Sequence, residues 1–204
     1  MIKKIILIFC LFLVVGCTND INDLTLEEII DTSIKEDTNL HNTNNKGYRY
    51  YLPSEFTVKK NSDFNQELVS HNKVYYLNVD IVSYYYKKED YVERDISDYK
   101  YYSFEEDDKT GYLRIRKIND NFFVELCYNY AIIEVEVEES ELRYAVSRGI
   151  IILKSIRYND LVIEKYINDN DLQSSETIYK IPEPKEKDDS KNILQYIEES
   201  EKEE

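Results

Sequence analysis

Several stretches between Tyr48 and Val137 place apolar residues at every second position, and this period restricts the fold more than any other feature of the chain. A period of two places side chains on alternating faces of a strand. Tyr75, Leu77, Val79 and Ile81 share one face, with Asn78 and Asp80 on the other, which predicts a strand over 74–85. Residues 48–52 and 56–58 read as two short strands around the turn Pro53-Ser54-Glu55. Residues 99–104 and 111–118 form another pair around Glu105–Lys109, with Leu113 and Ile115 opposed to Arg114 and Arg116. The clearest pair is 122–128 with 131–137. A turn at Asn129-Tyr130 sets Leu126 opposite Ile133, Val124 opposite Val135 and Phe122 opposite Val137. That register also sets Glu125 against Glu134, a like-charge pair, and Tyr130 suits a tight turn with positive φ poorly. One bent continuous strand is the competing reading.

Helical spacing replaces the period of two after Ser140. Leu142, Ala145, Val146, Ile150 and Leu153 form an apolar stripe. Gly149 could instead end this helix at Arg148 and leave 150–158 as a strand; the longer helix is the reading adopted. Near the start, Thr25 and Glu28 have the spacing of a capping box, and Leu24 and Ile29 that of a hydrophobic staple. They predict a short helix at 25–35, docked on the body or floating in a tether. The fold class expected is α+β, a mainly antiparallel sheet of about six strands with a covering helix near 140–155 and a short N-terminal helix.

The first twenty residues are of a different kind. Lys3 and Lys4 precede the unbroken apolar run Ile5 to Val15, and the polar Thr18-Asn19-Asp20 follows. Crossing a bilayer as a helix takes about 20 apolar residues, so this is the pattern of an export signal. Val14-Val15-Gly16-Cys17 resembles the lipobox of bacterial lipoproteins. The resemblance implies diacylglyceryl transfer to the Cys17 thiol, cleavage between Gly16 and Cys17, and a chain held on the extracytoplasmic face of a membrane. Two or more acyl chains anchor stably where one does not. Five regions are therefore expected: a signal peptide at 1–16, a lipidated polar tether at 17–46, an α+β domain at 47–158, a C-terminal extension at 159–182 and an acidic tail at 183–204.

Charge excludes several partners. With 26 basic and 41 acidic side chains the net charge is −15, which disfavours nucleic acid and docking of the folded part onto anionic lipid. Loss of Lys3 and Lys4 makes the mature chain more acidic still. Once Cys10 leaves with the leader and Cys17 carries lipid, Cys127 remains as a single thiol, read as a buried inert one. His41 and His71 fall in loops without a neighbouring nucleophile, and two histidines without a paired Cys motif make no zinc site. Glu106-Asp107-Asp108 and Asn168-Asp169-Asn170-Asp171 lack the glycine and terminal glutamate of a calcium loop. No catalytic residue, metal or cofactor is expected. The 20 tyrosines are explained in part by AT-rich codons and sheet propensity. Tyr84, Tyr85, Tyr86, Tyr99, Tyr101 and Tyr102 remain as the expected interaction surface.

The segment GYRYYLPSEFTV, taken as a hairpin, the strands that follow and the closing AVSRGIIILKSIRY are similar to the PsbP/Mog1-type sandwich. That fold is an antiparallel sheet covered by helices. Its last helix ends in a stretch like Ile152-Leu153-Lys154-Ser155-Ile156. The resemblance covers about 47–158 and implies a non-catalytic binding or assembly module. The functional expectation is a surface lipoprotein of this kind, whose partner protein presents a basic surface. A substrate-binding lipoprotein of a transporter and an extracellular hydrolase are the alternatives.

Overall fold

The computed structural model describes residues 21–36, 39–88 and 92–169. In chain order these form helix α1 (Leu26–Lys35), strands β1 (Thr43–Asn45), β2 (Tyr48–Tyr50), β3 (Thr57–Asn61), β4 (Asn65–Ser70) and β5 (Lys73–Val79), and helix α2 (Ile81–Tyr86). Strands β6 (Lys100–Glu106), β7 (Lys109–Ile118), β8 (Asn121–Tyr128) and β9 (Ala131–Val137) follow, then helix α3 (Leu142–Lys154), strand β10 (Arg157–Tyr158) and helix α4 (Asp160–Asp169). Seven strands make one antiparallel sheet in the order β3-β4-β5-β9-β8-β7-β6, and β1-β2-β10 make a second. The fold is α+β with a mainly antiparallel sheet.

The hairpin β8–β9 has the register that the alternation predicts, with Leu126 opposite Ile133, Val124 opposite Val135 and Phe122 opposite Val137. Two strands rather than one bent one are present, and Asn129 (φ 49°) and Tyr130 (φ 63°) make the turn. Two successive positive φ values are what a two-residue hairpin turn matching the strand twist requires. His71 and Asn72 do the same between β4 and β5. Asparagine tolerates this conformation at low cost; tyrosine does not. Tyr130 is held there by its carbonyl, which accepts from Asp80 N–H at 2.9 Å, and by its ring, edge-on to Tyr84 at 5.7 Å.

One face of the large sheet is apolar. Leu68, Tyr75, Val135, Val124 and Ile115 are successive cross-strand neighbours, all buried. Helix α3 covers this face with Leu142, Ala145, Val146, Ile150 and Leu153, the predicted stripe, all buried. It comes so close that a Cβ on Gly149 would lie 3.1 Å from Leu126 Cδ2. The helix runs through Gly149, so residues 150–154 are helix rather than strand.

Helix α1 is docked, not floating. Thr25 and Glu28 form the capping box, and Leu26, Ile29, Ile30 and Ile34 are buried. Lys154 donates to the carbonyls of Ser33 (2.8 Å), Ile34 and Glu36 at the C-terminal end of α1. Ser155 Oγ accepts from Tyr51 N–H at 2.8 Å. The segment Ile152–Ile156 therefore ties α1 and the chain after β2 to the core. Ile163 and Ile167 of α4 join the same core, so the packing extends past 47–158 at both ends.

Two expectations are corrected. The strand of 74–85 stops at Val79, because Asp80 caps α2 through its carboxylate, which accepts from Ser83 N–H at 2.8 Å. Residues 48–52 and 56–58 are not a hairpin. Tyr48–Tyr50 pairs with 43–45, which the sequence places in the tether, while Thr57–Asn61 pairs with β4. The turn at 53–56 is real, with Phe56 N–H donating to Pro53 O at 2.9 Å, but it carries the chain from one sheet to the other.

Candidate functional site

The face of the large sheet turned away from α1 and α3 carries the polar positions of the same alternation. Tyr101, Arg114, Glu125, Glu134 and Tyr76 form one cross-strand row through β6, β7, β8, β9 and β5. Tyr112, Cys127 and Ile132 form the next row on one side, and Arg116, Phe123 and Glu136 that on the other. Polar side chains on such a face are ordinarily solvated. Here Glu125 is 9% and Glu134 6% exposed.

Glu125 is provided for: its Oε1 accepts from Tyr112 OH at 2.8 Å. Arg114 turns to the segment before β6, its Nε donating to Asp98 Oδ1 at 2.8 Å. The Asp98 side chain is fully buried, and its other oxygen accepts from Asp95 N–H at 2.7 Å. Tyr101 OH donates to the Val92 carbonyl at 2.9 Å, so the 92–99 segment is strapped across this face. The guanidinium of Arg116 lies 5.0 Å from the Phe123 ring centroid. Two buried atoms on this face are left over: Glu134 Oε2 and Arg116 Nε have no hydrogen-bond partner among the described residues. An unpaired buried polar group carries most of its desolvation cost.

The electrostatics follow from this packing. Burial pushes the Glu134 carboxyl up to about 7; the facing Glu125 adds to the rise, and Arg116 opposes it. Tyr112 is held neutral well above its ordinary range, first by burial and then by neighbouring negative charge. The hydrogen bond to Asp98 raises Arg114 further. Near neutral pH Glu134 is therefore only partly ionised. A cluster of strongly shifted groups on one surface is where function is to be sought. The arrangement offers an anionic acceptor to a cationic donor.

The six tyrosines do not come together. Tyr84 stacks on Tyr158 at 3.8 Å and donates to Asp160 at 2.8 Å. Tyr85 is half-buried beside it, and Tyr86 lies on the surface of α2. Tyr101 and Tyr102 point to opposite faces of β6; Tyr102 OH donates to Asp31 at 2.6 Å, under α1. Tyr99 meets Phe122 at 4.8 Å at the far edge. Only Tyr101 belongs to the charged row. His71 stacks on Tyr144 at 4.6 Å, and His41 lies near Arg49. Cys127 is half-buried on the polar face. Gly16 and Cys17 lie outside the described residues, as does the acidic tail of 183–204. Among the described residues there is no group of three or more His, Cys, Asp or Glu that could hold a metal.

The Glu125–Glu134 pair was legible in the hairpin register, though not its burial. Asp98 gave no signal, because its partner Arg114 is brought to it by a turn without periodicity. Comparison with protein-family models, curated proteins and solved structures gave no match to this chain.

Proposed function

We propose that this chain is a lipoprotein anchored through Cys17 to the extracytoplasmic face of a membrane, and that its α+β domain is a non-catalytic binding or assembly module. Its binding face is the row Arg114–Glu125–Glu134, and its partner presents a basic surface. What supports the binding face is Glu134 Oε2, without a hydrogen-bond partner among the described residues and buried opposite a second carboxylate. A partner's lysine or arginine would supply the missing donor and let both carboxylates ionise, a charge-assisted contact. Glu134 is 6% exposed, so access requires the side chains around it to move. The resemblance to the PsbP/Mog1-type sandwich belongs to the same proposal, and a closing helix that ends at Lys154 fits it.

A lysine-rich peptide titrated into the mature chain, followed by amide shifts at low and high salt, tests the binding face. Shifts at 112–116, 123–127 and 132–136 that vanish at high salt and in Glu125→Gln/Glu134→Gln support it. Shifts confined to other parts of the chain, or unchanged in the double variant, overturn it.

A further inference from the structure

Two exposed apolar side chains and the exit of the N-terminal chain lie at one end of the domain. Ile96 is fully exposed and Tyr99 is 54% exposed. Lys100, the next residue, pairs with Glu27 in the first turn of α1 at 2.7 Å. The Tyr99 ring meets Phe122, which stands opposite Val137 at the sheet end from which the chain passes into α3. There Arg143 Nε donates to the Leu24 carbonyl at 2.8 Å, three residues after Ile21. The other end of the sheet holds the Asn129-Tyr130 turn, where Tyr158 OH donates to the Asn129 carbonyl just before α4.

The exposure of Ile96 is imposed by a bonded turn. Ser97 N–H and Oγ–H both donate to Asp95 Oδ1, at 2.8 and 2.7 Å. Asp98 closes the turn on Asp95 N–H and fixes it to Arg114. The ordering cost of presenting an apolar side chain here is met within the fold, which favours a contact partner.

We propose that this end of the domain rests on the lipid surface, with Ile96 and Tyr99 entering the headgroup layer. The inference rests on the Cys17 anchor of the preceding section. Three residues lie between Cys17 and Ile21, and the four steps from one to the other reach at most about 14 Å. A domain of about 150 residues has a radius of gyration of about 15 Å. The leash is no longer than the domain is deep, so the end that carries Ile21 stays against the bilayer. A tyrosine ring suits the membrane–water boundary, and an exposed isoleucine gains by leaving water. The acidic chain gains nothing from anionic headgroups, so the contact is apolar and insensitive to salt.

The test uses the full lipidated chain in phosphatidylcholine vesicles that contain a spin-labelled lipid. Environment-sensitive fluorophores are placed by Ile96→Cys or by Glu164→Cys on α4, each in a Cys127→Ser background that retains the wild-type circular dichroism spectrum. Mass spectrometry of the N-terminal peptide reports on Cys17 in the same samples. The expected result is loss of emission at position 96, none at 164, and no change on adding salt. Equal emission at both positions with Cys17 diacylated overturns the docking and leaves the anchor standing. An unmodified Cys17 overturns the anchor and the docking with it.

Discussion

Glu125 and Glu134 stand directly opposite each other on β8 and β9, and Glu134 Oε2 has no hydrogen-bond donor among the described residues. Two ionised carboxylates in that position repel in a medium less polar than water. The folded domain answers by keeping a proton, and the unfolded chain has no reason to.

Stability therefore depends on pH in a definite direction. The folded-state pKa of Glu134 is raised from 4.5 to about 7, so the stabilisation is complete below 4.5 and lost as pH rises through about 7. The shift corresponds to about 3 kcal/mol. Glu134→Gln keeps the shape and removes the titration. Urea unfolding midpoints measured across this range will fall with rising pH in the wild type and stay flatter in the variant. Parallel profiles would count against a protonated Glu134.

Lys154 holds α1 to the body through three main-chain carbonyls. Lys154→Met keeps the stem and removes the donors, leaving the end of α1 unpaired. The expected cost is about 2–4 kcal/mol, and amide exchange should rise in 26–35 before it rises in β8 and β9. Unchanged protection of α1 would show that its apolar contacts suffice.

Gly111 allows β7 to pass beneath Phe104. A Cβ there would lie 2.6 Å from the Cys127 carbonyl oxygen and 2.6 Å from Phe104 Cε2. The ring can move, but the strand backbone cannot yield without breaking its ladder. Gly111→Ala is expected to cost about 1–3 kcal/mol, seen as a lower Tm. A Tm at the wild-type value would mean that β8 accommodates the methyl group.

The parts of this fold that could be read from sequence are those where periodicity and burial agree. Phe122–Val137 alternates cleanly, and one face of it is the core. The stripe Leu142–Leu153 is amphipathic over three turns, and α3 follows it through Gly149. Strand β4 was not visible, because the side chains it buries are Gln66, Leu68 and Ser70, two of them polar. Tyr50 OH explains the first by donating to Gln66 Oε1 at 2.8 Å, a contact sixteen residues distant.

The apparent strand over 74–85 misled for the opposite reason. Ile81 continues the alternation of β5, but Asp80 offers a side-chain acceptor for Ser83 N–H, and a helix cap outweighs one more strand residue. The charged row was half legible. Glu125 and Glu134 followed from register, whereas Asp98 reaches Arg114 through a turn that no pattern announces. The tyrosines marked contacts between elements more often than an exposed surface, as Tyr84 on Tyr158 and Tyr102 on Asp31 show.

Attachment through Cys17 is decided by mass spectrometry of the mature N-terminus together with membrane fractionation of wild type and Cys17→Ser. The expected result is a wild-type chain that begins at a diacylglyceryl Cys17 and is recovered with membranes, while Cys17→Ser is neither processed at Gly16 nor lipidated. A Cys17→Ser chain that is fully processed and still found in the membrane fraction would contradict it.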